Sequence, residues 1–197
     1  MIDKLNGKII IITAPSGSGK TTIAKYLLEN FEELSFSVSA TTRAPREGEV
    51  DGVNYFFMDQ QQFQQAIKKN ELLEYQEVYT GQFYGTLVSE LKRIWTEKKI
   101  ALFDIDVKGA HIVDSSVDNN VLSIYVKASS LEVLKQRLIL RGTETPGSIK
   151  RRLEKAESEL EYAKHFDYVI SNDKLELAQK VIGEIVADFI KDPVKGK

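Results

Sequence analysis

Apolar residues fall along the chain in two recurring patterns: short unbroken runs and stripes at helical spacing. Lys8 to Ala14 (KIIIITA) is a nearly continuous, Ile-rich run. That is the pattern of a strand buried on both faces in a parallel sheet. Ile100 to Ile105 (IALFDI), Val121 to Val126 (VLSIYV) and Tyr168 to Ile170 repeat it. Thr22 to Phe31 instead places Ile23, Ala24, Leu27, Leu28 and Phe31 on one helical face. Leu87 to Lys98, Leu131 to Arg141, Ile149 to Lys164 and Leu175 to Ile190 read as further helices. Strands alternating with helices predict an α/β fold, a parallel sheet flanked by helices on both faces.

The stretch from Ser35 to Thr86 breaks this rhythm. Strand-like Val53 to Met58 and Leu72 to Tyr79 surround one helix, Gln60 to Lys69, and Pro45, Gly48, Gly52, Gly81 and Gly85 supply turn signals. It reads as a small α+β insertion beside the main sheet. Gly142 to Gly147 is irregular, links two basic helices, and reads as the base of a mobile lid. Asp192 to Lys197 read as a frayed tail.

Composition narrows the function classes. A length of 197 residues fits one α/β domain with insertions, and a hydrophobic fraction of 42% supports a proper core. A net charge of −2 argues against bulk nucleic-acid binding but allows a local basic pocket. With no cysteine there is neither a disulfide nor a thiolate metal site. A polar start, Met1 to Gly7, and the lack of an apolar run near roughly 20 residues make a cytoplasmic protein with no membrane or nucleic-acid partner the expectation.

Ala14-Pro15-Ser16-Gly17-Ser18-Gly19-Lys20-Thr21 follows the first strand and leads into the first helix. It matches the phosphate-loop pattern G-x-x-x-x-G-K-[ST] except at its first position, where Ala14 is a small replacement. Gly17 and Gly19 let the backbone turn so that its N–H groups approach phosphate oxygens. The start of the helix adds unpaired N–H groups and a positive dipole end. Lys20 supplies charge for β- and γ-phosphates, and Thr21 a hydroxyl for Mg²⁺. The alternative, an ordinary glycine-rich turn, leaves a lysine at a helix N-terminus unexplained. The expected ATP site runs from Ala14 through Thr21 to Thr22.

Asp104 and Asp106 close a buried strand on one face, where parallel α/β sheets bind ligands. Two readings stand: an Mg²⁺-holding acid, with Asp104 the ligand, or caps for the turn and helix that follow. Arg43 and Arg46, flanking Pro45, suit a two-armed phosphate clamp, or else solvated arginines paired with Glu47 and Glu49. On the residues alone Glu74 reads as one of several exposed acids, and Tyr55 and Tyr84 as core aromatics. His111 and His165 lack metal-ligand spacing and read as structural.

The whole string of motifs resembles the guanylate kinase family. It runs Ser16 to Lys20, Ser37 to Glu49 (SVSATTRAPREGE), Tyr55-Phe56-Phe57, Glu71 to Glu74, Phe83-Tyr84-Gly85-Thr86, Asp104-Ile105-Asp106, Arg141-Gly142-Thr143 and Val169 to Asp173. The resemblance implies ATP + GMP ⇌ ADP + GDP, with dGMP as a second acceptor, ATP and Mg²⁺ as cofactors, and a monomer or homodimer. It implies a phosphate-loop core (1–34, 87–136 and 165–197), a GMP-binding domain (35–86) and a lid (137–164). By matched position, Arg43, Arg46, Tyr55 and Tyr84 resemble the GMP phosphate clamp. Ser39, Glu74 and Thr86 resemble the guanine readers, with Asp106 nearby. Arg137, Arg141 and Arg152 resemble lid-side groups that join Lys20 and Arg43 at the transferring phosphate, and Asn172 lies near the adenine. Gln82-Phe83 departs from the pattern, since the family often has a tyrosine pair there. The resemblance leaves two other function classes to test: a kinase for another acceptor, and a non-catalytic binding module.

Overall fold

The computed structural model describes residues 7–116, 120–140, 142 and 145–192. The Ile-rich run forms strand β1 (Ile9–Thr13), and Ile9 to Ile12 are wholly buried. Helix α1 (Lys20–Asn30) follows, then β2 (Leu34–Phe36), β3 (Ser39–Thr41), β4 (Phe56–Phe57) and α2 (Gln60–Lys68). Next come β5 (Leu72–Tyr79), β6 (Gln82–Leu87), α3 (Val88–Thr96), β7 (Ile100–Ile105), α4 (Val107–Ser116) and β8 (Val121–Lys127). The chain continues through α5 (Leu131–Leu140), α6 (Pro146–Leu160), a 3₁₀ turn (Glu161–His165), β9 (Tyr168–Ser171) and α7 (Leu175–Lys191).

Two sheets form among the described residues. The larger has the order β2-β7-β1-β8-β9, and all its pairings are parallel. Alternation along β1 divides the core. Ile10 and Ile12 pack with Ile23 and Leu27 of α1 and Ile182 and Val186 of α7. Ile9 and Ile11 face the other way, against Leu91 and Ile94 of α3 and Val113 of α4. A strand buried on both faces needs such a run of apolar residues. The smaller sheet, β4-β3-β6-β5, belongs to the insertion and pairs β3 with β6 and β6 with β5 in antiparallel fashion.

The structure departs from the sequence reading in several places. Helix α1 begins at Lys20 and not Thr22, because the phosphate loop runs into it without a spacer. Only Phe56 and Phe57 of Val53 to Met58 pair as strand. Helix α4 was expected only as the helix that Asp104 and Asp106 would cap, without bounds; its sequence VKGAHIVDSS contains a glycine and gives a weak stripe. Strands β3 and β6 also escaped, since Ser39, Gly85 and Thr86 are small or polar. The expected insertion edge at 35 falls inside β2, and the expected lid edge at 137 falls inside α5.

Phe103 of β7 is wholly buried between α3 and α4. Phe103→Ala should lower folding stability by ~3–5 kcal/mol. Urea unfolding of the two proteins measures the difference, and a change under ~1 kcal/mol would contradict this packing.

Candidate active site

The phosphate loop bridges β1 and α1 where β1 lies between β7 and β8, a point at which connections leave the sheet in both directions. Gly17 and Gly19 adopt φ of 91° and 90°, a left-handed backbone that L side chains rarely take. Gly19 is the N-cap of α1 and contributes no side-chain cap, and no acidic residue occupies the first turn. Other helices differ. A capping box from Asp59 and Gln62 closes α2, and Thr145 caps α6. Helices α3 and α7 carry Glu90 and Glu176 in their first turns. The head of α1 thus keeps its amides and its dipole for an anion.

Asp104 holds the two chemical groups of this loop. Lys20 Nζ lies 2.8 Å from Asp104 Oδ1 and donates to the Ile105 carbonyl at 2.9 Å. Thr21 Oγ1 donates to Asp104 Oδ2 at 3.2 Å. Burial pulls the Lys20 ammonium down, but Asp104 and then Asp106 outweigh it, so the group stays above its ordinary value and charged. Asp106 takes the other role foreseen for the pair: its Oδ1 accepts from Gly109 N at 2.8 Å and so caps α4. Its Oδ2 faces Lys155 Nζ at 3.4 Å.

The insertion sheet builds the opposite wall. Its register sets Ser39, Thr86 and Glu74 in one row across three neighbouring strands. Glu74 is 6% exposed and accepts from Thr86 Oγ1 at 2.8 Å. Burial pushes Glu74 up to about 7; Thr86 opposes the shift and Asp106 adds to it. Tyr84 lies on the same face, edge-on to Tyr55 with ring centroids 5.9 Å apart. Burial, followed by Asp104, holds the Tyr55 phenol above its ordinary value, so it stays a hydroxyl donor.

Arg43 is paired as well as positioned. It makes a two-armed contact with Glu49 at 2.9 and 2.8 Å and sits over the Tyr55 and Phe57 rings. The Arg43 contact holds Glu49 below its ordinary value. Arg46 donates its backbone N–H to the same carboxylate at 2.7 Å and turns an exposed side chain to the cleft. The Glu49 pairing foreseen for these arginines is present at Arg43, and the guanidinium still lines the cleft.

Helix α6 bridges the mouth. Arg152 donates to Ser16 Oγ of the phosphate loop and sits 5.9 Å from the Tyr79 ring centroid. Lys155 lies between Asp106 and the buried Glu159, 3.3 Å from the latter, and over Tyr79. Arg137 donates to the Asn172 carbonyl at 2.7 Å. Asn172 is buried, and its Nδ2 donates to the Ser18 carbonyl at 2.8 Å, so it braces the phosphate loop from behind. Arg141 lies outside the described residues. The cleft between these walls has a volume of ≈ 1360 Å³, above the roughly 300–1,000 Å³ of a single small-molecule site. Ala14 to Gly17, Gly19 to Thr22, Ser39, Arg43, Arg46, Tyr55, Glu74, Tyr84, Asp104, Asp106, Arg137 and Arg152 all line it. Thr86, Ser18 and Asn172 stand behind that lining.

The family model described as Guanylate kinase matches residues 6–189. The chain belongs to the guanylate kinase family. A curated relative from Bacteroides fragilis named "Guanylate kinase" is 44% identical over 183 residues, covering 93% of this chain and 90% of its own. One of the same name from Clostridium perfringens is 44% identical over 91% of this chain and 82% of its own. The crystal structure of guanylate kinase from Anaplasma phagocytophilum superposes with a TM-score of 0.77 at 29% identity, covering 98% of this chain and 92% of that one. No helix among the described residues is long and apolar enough to cross a membrane.

Sequence reasoning missed the cleft positions of Lys155, Glu159 and Tyr79. The i,i+4 spacing of Lys155 and Glu159 was a visible signal, but spacing alone does not say which way the pair faces. His111 and His165, far apart in sequence, have ring centroids 5.1 Å apart beside Tyr162.

The Glu74 shift has a stability consequence. An unfolded chain releases this proton near pH 4.5, whereas the folded chain keeps it to about 7. Across that window the unfolded state binds fewer protons, so this group lowers stability as pH rises. Glu74→Gln should therefore gain stability relative to the parent between pH 4.5 and 7, by up to about 3 kcal/mol, and hold the gain above pH 7. Urea unfolding at pH 5 and pH 8 checks it; a pH-independent difference would contradict the buried carboxylate.

Proposed function

We propose that this protein transfers the γ-phosphoryl group of ATP to GMP, giving ADP and GDP, with dGMP as a second acceptor. One observation carries the reading: an uncapped, lysine-headed helix start and a buried carboxylate pocket face each other across one cleft. Family membership and the names of the relatives support the same substrates.

On the donor side, the loop amides from Ser16 to Thr22 and the Lys20 ammonium hold the β- and γ-phosphates. Asn172 contributes by bracing the loop and stands near the adenine. The donors beside the loop fit Mg²⁺, since the Thr21 hydroxyl and the Asp104 carboxylate are hard oxygens 3.2 Å apart. This ion is commonly held by one or two protein oxygens and completed by phosphates and water. Such a site does not need the cluster of three acidic or histidine ligands that is absent among the described residues. When bound there, the ion neutralises charge on the transferring phosphates.

On the acceptor side, Arg43, Arg46, Tyr55 and Tyr84 clamp the GMP phosphate. Glu74 accepts from guanine N1–H and the 2-amino group, with Ser39, Thr86 and Asp106 completing the pocket. Adenine lacks that donor pair and would leave a buried carboxylate unpaired. Arg137, Arg141 and Arg152 spread charge off the γ-phosphoryl group. A GMP phosphate oxygen is itself a competent nucleophile, so positioning and charge neutralisation suffice and no general base is needed. The insertion (35–86) and the lid (137–164) close over the core (1–34, 87–136 and 165–197) and exclude water. The bacterial relatives support a cytoplasmic enzyme acting on free nucleotides, as a monomer or homodimer.

A coupled ADP-release assay over GMP, dGMP, AMP, UMP, TMP and a sugar phosphate tests the reading. GMP should be preferred over AMP by a factor on the order of 10² or more. Glu74→Ala should raise the GMP KM by about 10²-fold and leave that for ATP within about twofold. A preference for another acceptor, or equal rises in both constants, would contradict the guanine assignment.

A further inference from the structure

Gly109 is the third residue of α4 and stands directly behind the pocket carboxylate. Its backbone N–H caps onto Asp106 at 2.8 Å, so the residue sits in the first turn of the helix. Its φ is not in the left-handed region, and an alanine would be accepted by the backbone. A glycine in a helix, where alanine is otherwise favoured, calls for a local reason.

The space around it supplies that reason. A Cβ placed on Gly109 would stand 2.6 Å from Glu74 Oε2, 3.2 Å from Glu74 Cδ and 3.2 Å from Asp106 Oδ1. The first distance is far below van der Waals contact. The atom it meets is the end of a side chain with three rotatable bonds, and not backbone. The cheapest relief is therefore to move the Glu74 carboxylate. That movement strains the 2.8 Å bond from Thr86 Oγ1 to Glu74 Oε1 and changes where Oε2 points.

We infer that Gly109 is a specificity-determining positioning residue: its missing side chain lets Glu74 lie flat against α4 in the orientation that reads a guanine edge. Gly109 touches no substrate and acts chiefly through Glu74, which a Cβ would meet at the shortest distance, ahead of Asp106. The inference rests on the proposed role of Glu74 and goes beyond it by naming what holds that carboxylate in place. Thr86 holds Glu74 Oε1 from the sheet side, and Gly109 leaves the room that Oε2 occupies on the helix side.

The test is a double-mutant cycle with Glu74→Ala, read by ADP release with GMP, IMP and ATP varied in turn. Gly109→Ala alone should raise the GMP KM by about tenfold to hundredfold, with the ATP KM within about twofold. IMP keeps N1–H but lacks the 2-amino group, so the GMP-over-IMP preference should shrink in the same variant. In the Glu74→Ala background, Gly109→Ala should change the GMP KM by less than about twofold, because the group it displaces is gone. Thermal unfolding separates this from a folding defect. The gain from alanine in a helix and the strain on the Thr86–Glu74 bond oppose each other, so the cooperative transition should persist with the Tm moved by no more than about 4 °C.

An unchanged GMP KM in Gly109→Ala would overturn the inference, as would an equal effect in the two backgrounds. Loss of the cooperative thermal transition would overturn it too, since backbone and not carboxylate would then bear the clash. If Glu74→Ala itself leaves the GMP KM untouched, the guanine assignment falls first and this inference with it. That outcome is read from a different protein than the others.

Discussion

The site depends on one electrostatic arrangement: a helix that starts at a lysine with nothing of the protein's own to cap it. Helix α1 meets the loop at a left-handed glycine, has no acidic first turn, and receives no side-chain cap. Its amides and dipole are aimed at a position the fold leaves to an anion. Asp104 resolves the conflict meanwhile by holding Lys20 at 2.8 Å and receiving the Thr21 hydroxyl. The arrangement is only as rigid as its surroundings. The buried strand β1 fixes one end of the loop, and Asn172, just past the edge strand β9, ties the Ser18 carbonyl.

The proposed acceptor side shows the opposite use of charge. Glu74, Asp106 and Glu159 crowd one region, and Lys155 is the cation between the latter two. Burial disfavours the charged form of Glu74 and moves its titration up to about 7, so both forms are present at pH 7. A ligand that presents two donors to this carboxylate repays its desolvation, and one that does not leaves the cost standing. Discrimination in such a pocket comes from the cost of the wrong partner as much as from the gain of the right one. The α6 contacts to Ser16, Tyr79 and Asp106 connect the two halves of the cleft. Movement of that helix is therefore felt on both the donor and the acceptor sides.

Much of this was readable from the residues in order. The phosphate loop is contiguous, and its neighbours are a pure apolar run and an amphipathic helix, so local pattern sufficed. The β5 strand and the helix after Asp59 were legible for the same reason, and the capping box at Asp59 and Gln62 agrees. What pattern missed is long-range or small. Asn172 reaches Ser18 across 154 positions, and its main contact is with loop backbone. Asp104 and Asp106 were expected on one face, yet one turned to the loop and the other to the start of α4. The alternation in β3 and β6 is weak because small residues, Ala40 and Gly85, stand where larger apolar side chains would mark the core face. A resemblance to a known family pointed to Glu74, Tyr55 and Tyr84, which composition and spacing left as an exposed acid and core aromatics, whereas for Arg43 and Arg46 a phosphate clamp was already one of two readings.

Backbone amide NMR of the isotopically labelled protein, titrated with ATP and magnesium in the absence of GMP, tests the central claim most directly. The account predicts saturable shifts centred on the amides of Gly17, Gly19, Lys20 and Thr21, with little change along α2. Saturable binding that left the loop amides unmoved, or no binding of the nucleotide at all, would contradict it.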